Sequence, residues 1–226
     1  MTRRRTVLVA SVGAAALVAA TAPFVYAALN RAPESLVTRR LSDGPTILAA
    51  DLDGAWDVAE GSVVGYRVEE QIALAKTDGV GRTSEVSGRF VVADGSLLEA
   101  RFEVDLASLQ SDRSQRDQQV RTKILDVATH PVAEFVLTEP VALPPSTDVA
   151  TMSPFVATGG LTLRGVTKPV AVAIYAAIDD GRLRLTGSTE IVFAEWGIPN
   201  PSIPAALIFT KDRGTLEFDL LFQAQD

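Results

Sequence analysis

The 226-residue chain contains no cysteine and one histidine, and its formal net charge is −7. A disulfide framework and thiol chemistry are therefore excluded, and zinc, which needs clustered Cys and His ligands, is disfavoured. Charge is uneven: residues 1–40 hold six Arg and one Glu, whereas the rest holds 15 Lys+Arg against 27 Asp+Glu, an acidic domain without the basic patch that nucleic acid requires.

Three arginines, Arg3 to Arg5, precede Val7–Leu29, 23 residues without a charge. At about 1.5 Å per residue this run is long enough to cross a hydrocarbon core of roughly 30 Å. Residues 1–29 thus read as an N-terminal transmembrane helix, a signal anchor with its amino terminus inside. The other reading is a signal peptide cleaved after Ala27, where Val25-Tyr26-Ala27 places small residues at −3 and −1. Either places the remainder outside the cytoplasmic membrane, as a single-pass or a secreted protein. Residues 30–52, with Pro33, Gly44 and Pro45, read as a linker, and residues 53–226 as one domain.

Within that domain the pattern is mostly strand. Val64, Tyr66 and Val68 share a face. Glu69–Gly79 is poorly patterned and is expected to be a strand end and a loop. Val86, Gly88, Phe90 and Val92 alternate, and Asp94-Gly95 signals a tight hairpin. Beyond it Leu98, Ala100, Phe102 and Val104 are expected on one face, against Leu97, Glu99, Arg101 and Glu103 on the other. Arg113–Phe135 alone reads as helix: Val120, Ile124, Val127 and Ala128 recur at three- and four-residue spacing. Ser114 is its expected N-cap, with Asp117 in the manner of a capping box, and His130-Pro131 its expected end.

Ala133, Phe135 and Leu137 form the next strand, followed by a Pro- and Thr-rich loop and a strand over Phe155–Leu163. Gly165–Pro169 turns into Val170–Ile178, which is apolar on both faces, one of them small (Ala171, Ala173, Ala177). Asp180-Gly181 makes a second hairpin. Leu183, Leu185, Ile191 and Phe193 follow, with a break expected near Gly187. Trp196-Gly197 opens a loop holding Pro199, Pro201 and Pro204. The last strand carries Leu216, Phe218, Leu220 and Phe222 on one face and Glu217 and Asp219 on the other. About eight strands result, enough to close an antiparallel barrel around side chains or one small ligand. The amphipathic helix either covers core or lids a chamber, and the pattern leaves a filled and a hollow barrel both open.

Chemical motifs are few. No G-x-S-x-G elbow accompanies His130, so a hydrolase has only that one candidate base. Asp51, Asp53 and Asp57 lack the spacing of a calcium loop. Arg116 and Asp117 read as a solvated helix face or as contacts to a polar head group. No catalytic residue, metal or cofactor is expected.

Larger motifs carry a resemblance. Arg116-Asp117-x-x-Val120-x-Thr122-x-x-Leu125-Asp126-Val127-x-x-His130-Pro131-x-Ala133-x-Phe135 resembles the signature region of YceI-like proteins. Gly160-Leu161-Thr162-Leu163-Arg164-Gly165-Val166-Thr167-Lys168-Pro169-Val170 is similar to that family's second signature, and Val86–Phe90 and Asp105–Leu109 to its earlier elements. The resemblance covers about Trp56 to Gln223. It implies an all-β fold, an eight-stranded antiparallel lipocalin-like barrel with one helix, enclosing a long apolar chamber for a polyisoprenoid or isoprenoid quinone. It implies non-catalytic binding or carriage of such a lipid in the cell envelope. The alternative is a filled barrel serving as a structural or protein-interaction module there. By face and family position, the candidate lining residues are Phe90, Leu98, Phe102, Phe135, Leu137 and Trp196. The family often has Asp-Phe-Gly where Glu195-Trp196-Gly197 stands here, so Trp196 is expected to narrow the chamber mouth. Expected partners are the isoprenoid lipid or quinone and the membrane, through the N-terminal helix; no nucleic acid is expected, and a homodimer is left open.

Overall fold

The computed structural model describes residues 32–37, 47–147, 154–179 and 181–225. The expected transmembrane helix or signal over residues 1–29 lies outside them. Among the described residues no helix is long and apolar enough to cross a membrane.

Strands dominate: β1 (Gly54–Val58), β2 (Val63–Ile72), β3 (Ala75–Thr83), β4 (Val86–Ala93), β5 (Ser96–Asp105), β6 (Val132–Leu137), β7 (Phe155–Leu163), β8 (Val166–Asp179), β9 (Arg182–Val192), β10 (Ile208–Thr210) and β11 (Arg213–Ala224). Eight of them form a closed antiparallel ring in the order β9-β8-β7-β6-β5-β4-β1-β11, with β11 returning to β9 from Leu183↔Phe222 to Val192↔Arg213. The eight-stranded barrel read from the sequence is therefore present. Ring closure pairs both sides of each of these eight strands.

The β2–β3 hairpin leaves this ring from β11, where Thr215–Asp219 pair with Arg67–Val63, and β10 adds to its far end at Ile72, Gln71 and Glu70. A strand end followed by a loop is expected over Glu69–Gly79. Instead β2 runs on to Ile72, turns through Ala73 in the left-handed region (φ 53°), and β3 starts at Ala75. Alternation was hidden because Gly79 and Gly81 stand where inward apolar side chains would have announced the strand. The break expected near Gly187 is likewise absent; β9 is continuous, and Gly187 pairs with Ile174 on one side and Phe218 on the other.

In β5 the expected register also changes. Val91 pairs with Glu99 but Val92 with Leu97, so Leu98 is an extra residue on its strand, a β-bulge. The bulge moves Leu97 inside and Leu98 out, where it is 43% exposed. Ala100 and Phe102 keep the inward side as expected.

The helix is shorter than its pattern. The α-helix α1 spans Ser114–Gln119 and continues as one π-turn over Val120–Ile124. Its N-cap is Arg113, without a side-chain cap, and not Ser114. Asp117 closes no capping box; its carboxylate accepts from the Ser111 N–H (2.8 Å) and hydroxyl (2.6 Å). Proline does not end the helix either. Asp126, in the left-handed region (φ 49°), reverses the chain, and the Val127 N–H bonds back to the Arg121 carbonyl at 2.8 Å. Val120, Leu125 and Val127 are buried in the same apolar cluster as Leu161, Leu163 and Ile191, so the helix closes one end of the barrel.

Residues of the expected linker also rest on the domain. Ile47-Leu48 pair with Ser146-Thr147, and Ile47 and Leu36 are buried. The segment 33–36 crosses the outer wall over Glu217, which is 1% exposed. That carboxylate accepts from Ser35 Oγ (2.7 Å) and Leu36 N (3.2 Å), and pairs with Arg82 (3.3 Å) and Arg67 (3.4 Å). The two arginines donate in turn to the Glu34 and Pro33 carbonyls. Farther along the same face of β11, Asp219 takes a two-pronged bond from Arg184, both at 2.6 Å. Buried charge is thus kept on the outside of the wall, where each carboxylate is matched by guanidinium groups.

Candidate functional site

Between the ring strands, β2 and the helix lies a cavity of about 360 Å³. Its wall is built by strand alternation: Val64, Tyr66, Val68, Glu70 and Ile72 of β2, Leu161 and Leu163 of β7, Val170, Val172 and Ile174 of β8, and Leu216, Phe218 and Leu220 of β11. Val120, Ile124 and Leu125 seal the helix end. A second, wholly apolar cavity of about 60 Å³ lies toward Phe90, Leu97, Leu143 and Leu183. Phe102, Phe135, Ile174 and Leu185 line both spaces and form the partition.

The interior is vacant for a local reason. Large rings lie flat on the wall, each across an inward glycine of a neighbouring strand. A Cβ at Gly81 would stand 2.8 Å from the Tyr66 hydroxyl, one at Gly88 2.7 Å from Phe102 Cδ1, and one at Gly187 2.9 Å from Phe218 Cε1. At Gly159 it would stand 2.6 Å from the Val136 carbonyl oxygen and closer still to the Phe135 ring. Glycine opposite aromatic lets the ring cover bare backbone instead of projecting into the lumen.

One end of the main cavity is polar. Glu70 lies over Gly79, and the Arg116 side chain of α1 comes down to bond it at 3.1 Å and also bonds Asp112. Desolvation alone would lower the Arg116 pKa, but Glu70 and Asp112 raise it beyond its ordinary value. The Tyr66 phenol is pushed well above its usual pKa, first by burial; Arg116 opposes this, and Asp117, Glu70 and Asp112 reinforce it. Gln115, Gln119 and Arg113 complete this end. The cavity also reaches Pro201, Ile203 and Ile208, and beside them Leu74, Leu207 and Phe209 are exposed, Leu74 at 78%.

The six candidate lining residues divide. Phe102 and Phe135 line the main cavity, and both also line the small one together with Phe90 and Leu137. Leu98 lines neither, because the bulge turns it outward. Trp196 also lines neither: it is 2% exposed, in a 3-10 turn capped by left-handed Gly197, and packs in the cluster around the helix end. The expected narrowing of the mouth by Trp196 is therefore not seen. His130 packs on the β7–β8 turn, its Cε1 2.6 Å from where a Gly165 Cβ would stand. Asp51, Asp53 and Asp57 form no metal-binding group among the described residues. Sequence reasoning missed Tyr66 and Glu70. The signal was present: the alternation of Val64, Tyr66 and Val68 continues through Glu70 to Ile72, and a carboxylate at an inward position is rare without a partner.

A closed antiparallel barrel with a hollow apolar interior and a short helix at one end defines a class of small-molecule binding fold. The YceI-like domain matches this chain over residues 57–222, and the protein belongs to that family. Among solved structures it is similar to BcnA of Burkholderia cenocepacia, with a TM-score of 0.56 and 20% identity over 73% of this chain and 98% of the other. It is also similar to a domain from Saccharophagus degradans described as polyisoprenoid-binding, with a TM-score of 0.56 and 16% identity over 79% of this chain and all of the other (100%). No curated protein matches the sequence.

Proposed function

We propose that the protein is a non-catalytic carrier that holds an isoprenoid-type lipid, a polyisoprenoid or an isoprenoid quinone, in the cell envelope. One observation carries the reading: an apolar cavity of about 360 Å³ inside a closed barrel. That volume falls in the range of roughly 300–1,000 Å³ typical of small-molecule sites. Each methylene buried there contributes about 0.8 kcal/mol, so a chain of several prenyl units is held with few polar contacts, after association costs. The polyisoprenoid-binding domain of similar fold supports the choice of ligand class.

The apolar rim of Leu74, Leu207 and Phe209 gives an entry where a chain passes between bilayer and cavity without crossing water. An anchor over residues 1–29 would keep that rim close to the lipid, with the barrel on the outer side of the cytoplasmic membrane. The filled-barrel alternative has no observation in its favour, since the interior is open.

The test is native mass spectrometry of the purified protein, with organic extraction and identification of whatever dissociates. A copurifying prenyl lipid, or uptake of an added quinone in one-to-one proportion, is the expected result. A reproducibly empty protein that takes up neither would end the proposal.

A further inference from the structure

The polar end of the cavity bears on which prenyl lipid fits, an inference that rests on the carrier reading above. Its described ionisable groups are Glu70, Asp112 and Asp117 on the acidic side and Arg113 and Arg116 on the basic side. Carboxylates outnumber guanidiniums. Arg116 is engaged twice, by Glu70 at 3.1 Å and by Asp112, and Arg113 also faces Asp112, at 3.9 Å. A phosphate entering here would have to displace Glu70 from Arg116 and then sit beside that freed carboxylate in a poorly hydrated site. Such like-charge burial is strongly unfavourable. A neutral donor at this end is the Tyr66 hydroxyl, held over Gly81 on the inward face of β2. Its surroundings keep the phenol protonated, so it offers a hydrogen and asks for an acceptor. Gln115 and Gln119 add neutral amides on the helix side.

We propose that this end selects prenyl lipids whose head group is uncharged and accepts a hydrogen bond, such as a quinone carbonyl, and rejects prenyl phosphates, with the Tyr66 hydroxyl as the donor. The arrangement works as a charge filter: Glu70 and Asp112 offset the Arg116 and Arg113 guanidiniums that would attract an anion, and the phenol supplies a neutral polar contact. A carrier so built takes its cargo after the phosphate of a prenyl precursor has been removed or replaced, and it leaves the charged precursors at the membrane.

The experiment offers the full chain an equimolar mixture of a prenyl quinone, the prenyl alcohol and the prenyl diphosphate, all of equal tail length, and counts the bound masses by native mass spectrometry. Quinone retained at least about tenfold over diphosphate is expected. Diphosphate retained equally or better overturns the inference while leaving the carrier reading intact. Retention of none of the three removes the carrier reading and this inference with it. The wild-type comparison needs no variant. Two variants sharpen it. Tyr66→Phe removes one hydrogen bond and should lower quinone retention by roughly two- to tenfold, leaving tail-driven binding. Glu70→Gln removes one of the two carboxylate charges facing Arg116 and leaves Asp112, and it should raise diphosphate retention severalfold; an unchanged ratio in both variants counts against the assignment.

Discussion

Gly159→Ala is the sharpest test of how the barrel stays hollow. The added Cβ would stand 2.6 Å from the Val136 carbonyl oxygen, and the Phe135 ring occupies the same space. Backbone on one side cannot retreat without opening the β6–β7 ladder, where Gly159 pairs with Leu137 and Leu161 with Phe135. The ring must therefore leave the wall and swing into the lumen. Overpacking of this kind costs about 1–3 kcal/mol. At roughly 2–4 °C per kcal/mol for a protein of this size, the midpoint should fall by about 2–12 °C. Lipid capacity should fall as well, because a displaced ring fills the space at the partition. Gly160→Ala is the matched control: one residue along the same strand, its Cβ meets only Thr167 Cγ2 at 3.4 Å, ordinary contact. It should change stability by less than about 0.5 kcal/mol and leave binding untouched. The double variant Gly159→Ala/Phe135→Leu should recover part of both losses, the signature of a direct pair. Thermal unfolding and native mass spectrometry read both quantities. If Gly159→Ala behaves like Gly160→Ala in both, the glycine–aromatic explanation of the vacancy is wrong.

Two further predictions concern charge. Glu217→Gln removes the carboxylate that gathers Ser35, Leu36, Arg67 and Arg82 on the outer wall. Both arginines keep other acceptors, so the loss should stay below the full cost of breaking a buried pair, at about 2–3 kcal/mol in urea denaturation. Tyr66 has its pKa raised on folding, so its stabilising contribution is complete below the ordinary phenol range and is lost as pH rises beyond it. Stability of the wild type should therefore decline on the alkaline side of pH 10, measured as a falling midpoint, and Tyr66→Phe should flatten that decline.

Much of the barrel was legible because its strands alternate. β4, β6, β7 and β11 lie where their apolar residues recur, and the one α-helix among the described residues falls in the stretch of the domain with helical spacing. The failures share a cause: contacts that no single strand or helix contains. Leu98 is turned out by a bulge that exists only in its pairing with Val91 and Val92. Asp117 answers to Ser111, which pairs with Gly81 of β3 just before the helix, not to a capping partner within it. Glu217 and Asp219 alternate like exposed residues, yet both are buried, Glu217 beneath a strap from residues 33–36 that is more than 180 positions away. The β2–β3 hairpin was obscured by Gly79 and Gly81, and with it went the polar end of the cavity. Vacancy itself depends on which aromatic faces which glycine across a ladder, and a single strand does not contain that information.

An unfilled interior also has a thermodynamic consequence. Vacant apolar volume destabilises a protein by about 24 cal/mol per Å³, so 360 Å³ corresponds to a deficit of up to roughly 9 kcal/mol relative to a filled barrel. Tyr66, Glu70 and Arg116 make one end polar, but water there could not bond the apolar wall formed by Val172, Ile174, Leu185 and Phe218. A lipid tail would supply contacts to that apolar wall. Delipidation should therefore lower the thermal midpoint, and re-addition of a prenyl quinone should restore it in proportion to occupancy, by about 2.7 kcal/mol at a hundredfold excess over Kd. The small cavity behind Phe102 and Phe135 sets the length dependence. A tail that only fills the main space should stabilise less than one that moves these two rings and runs on toward Phe90 and Leu183. A midpoint insensitive to both occupancy and tail length would mean that the cavity is not where the lipid resides.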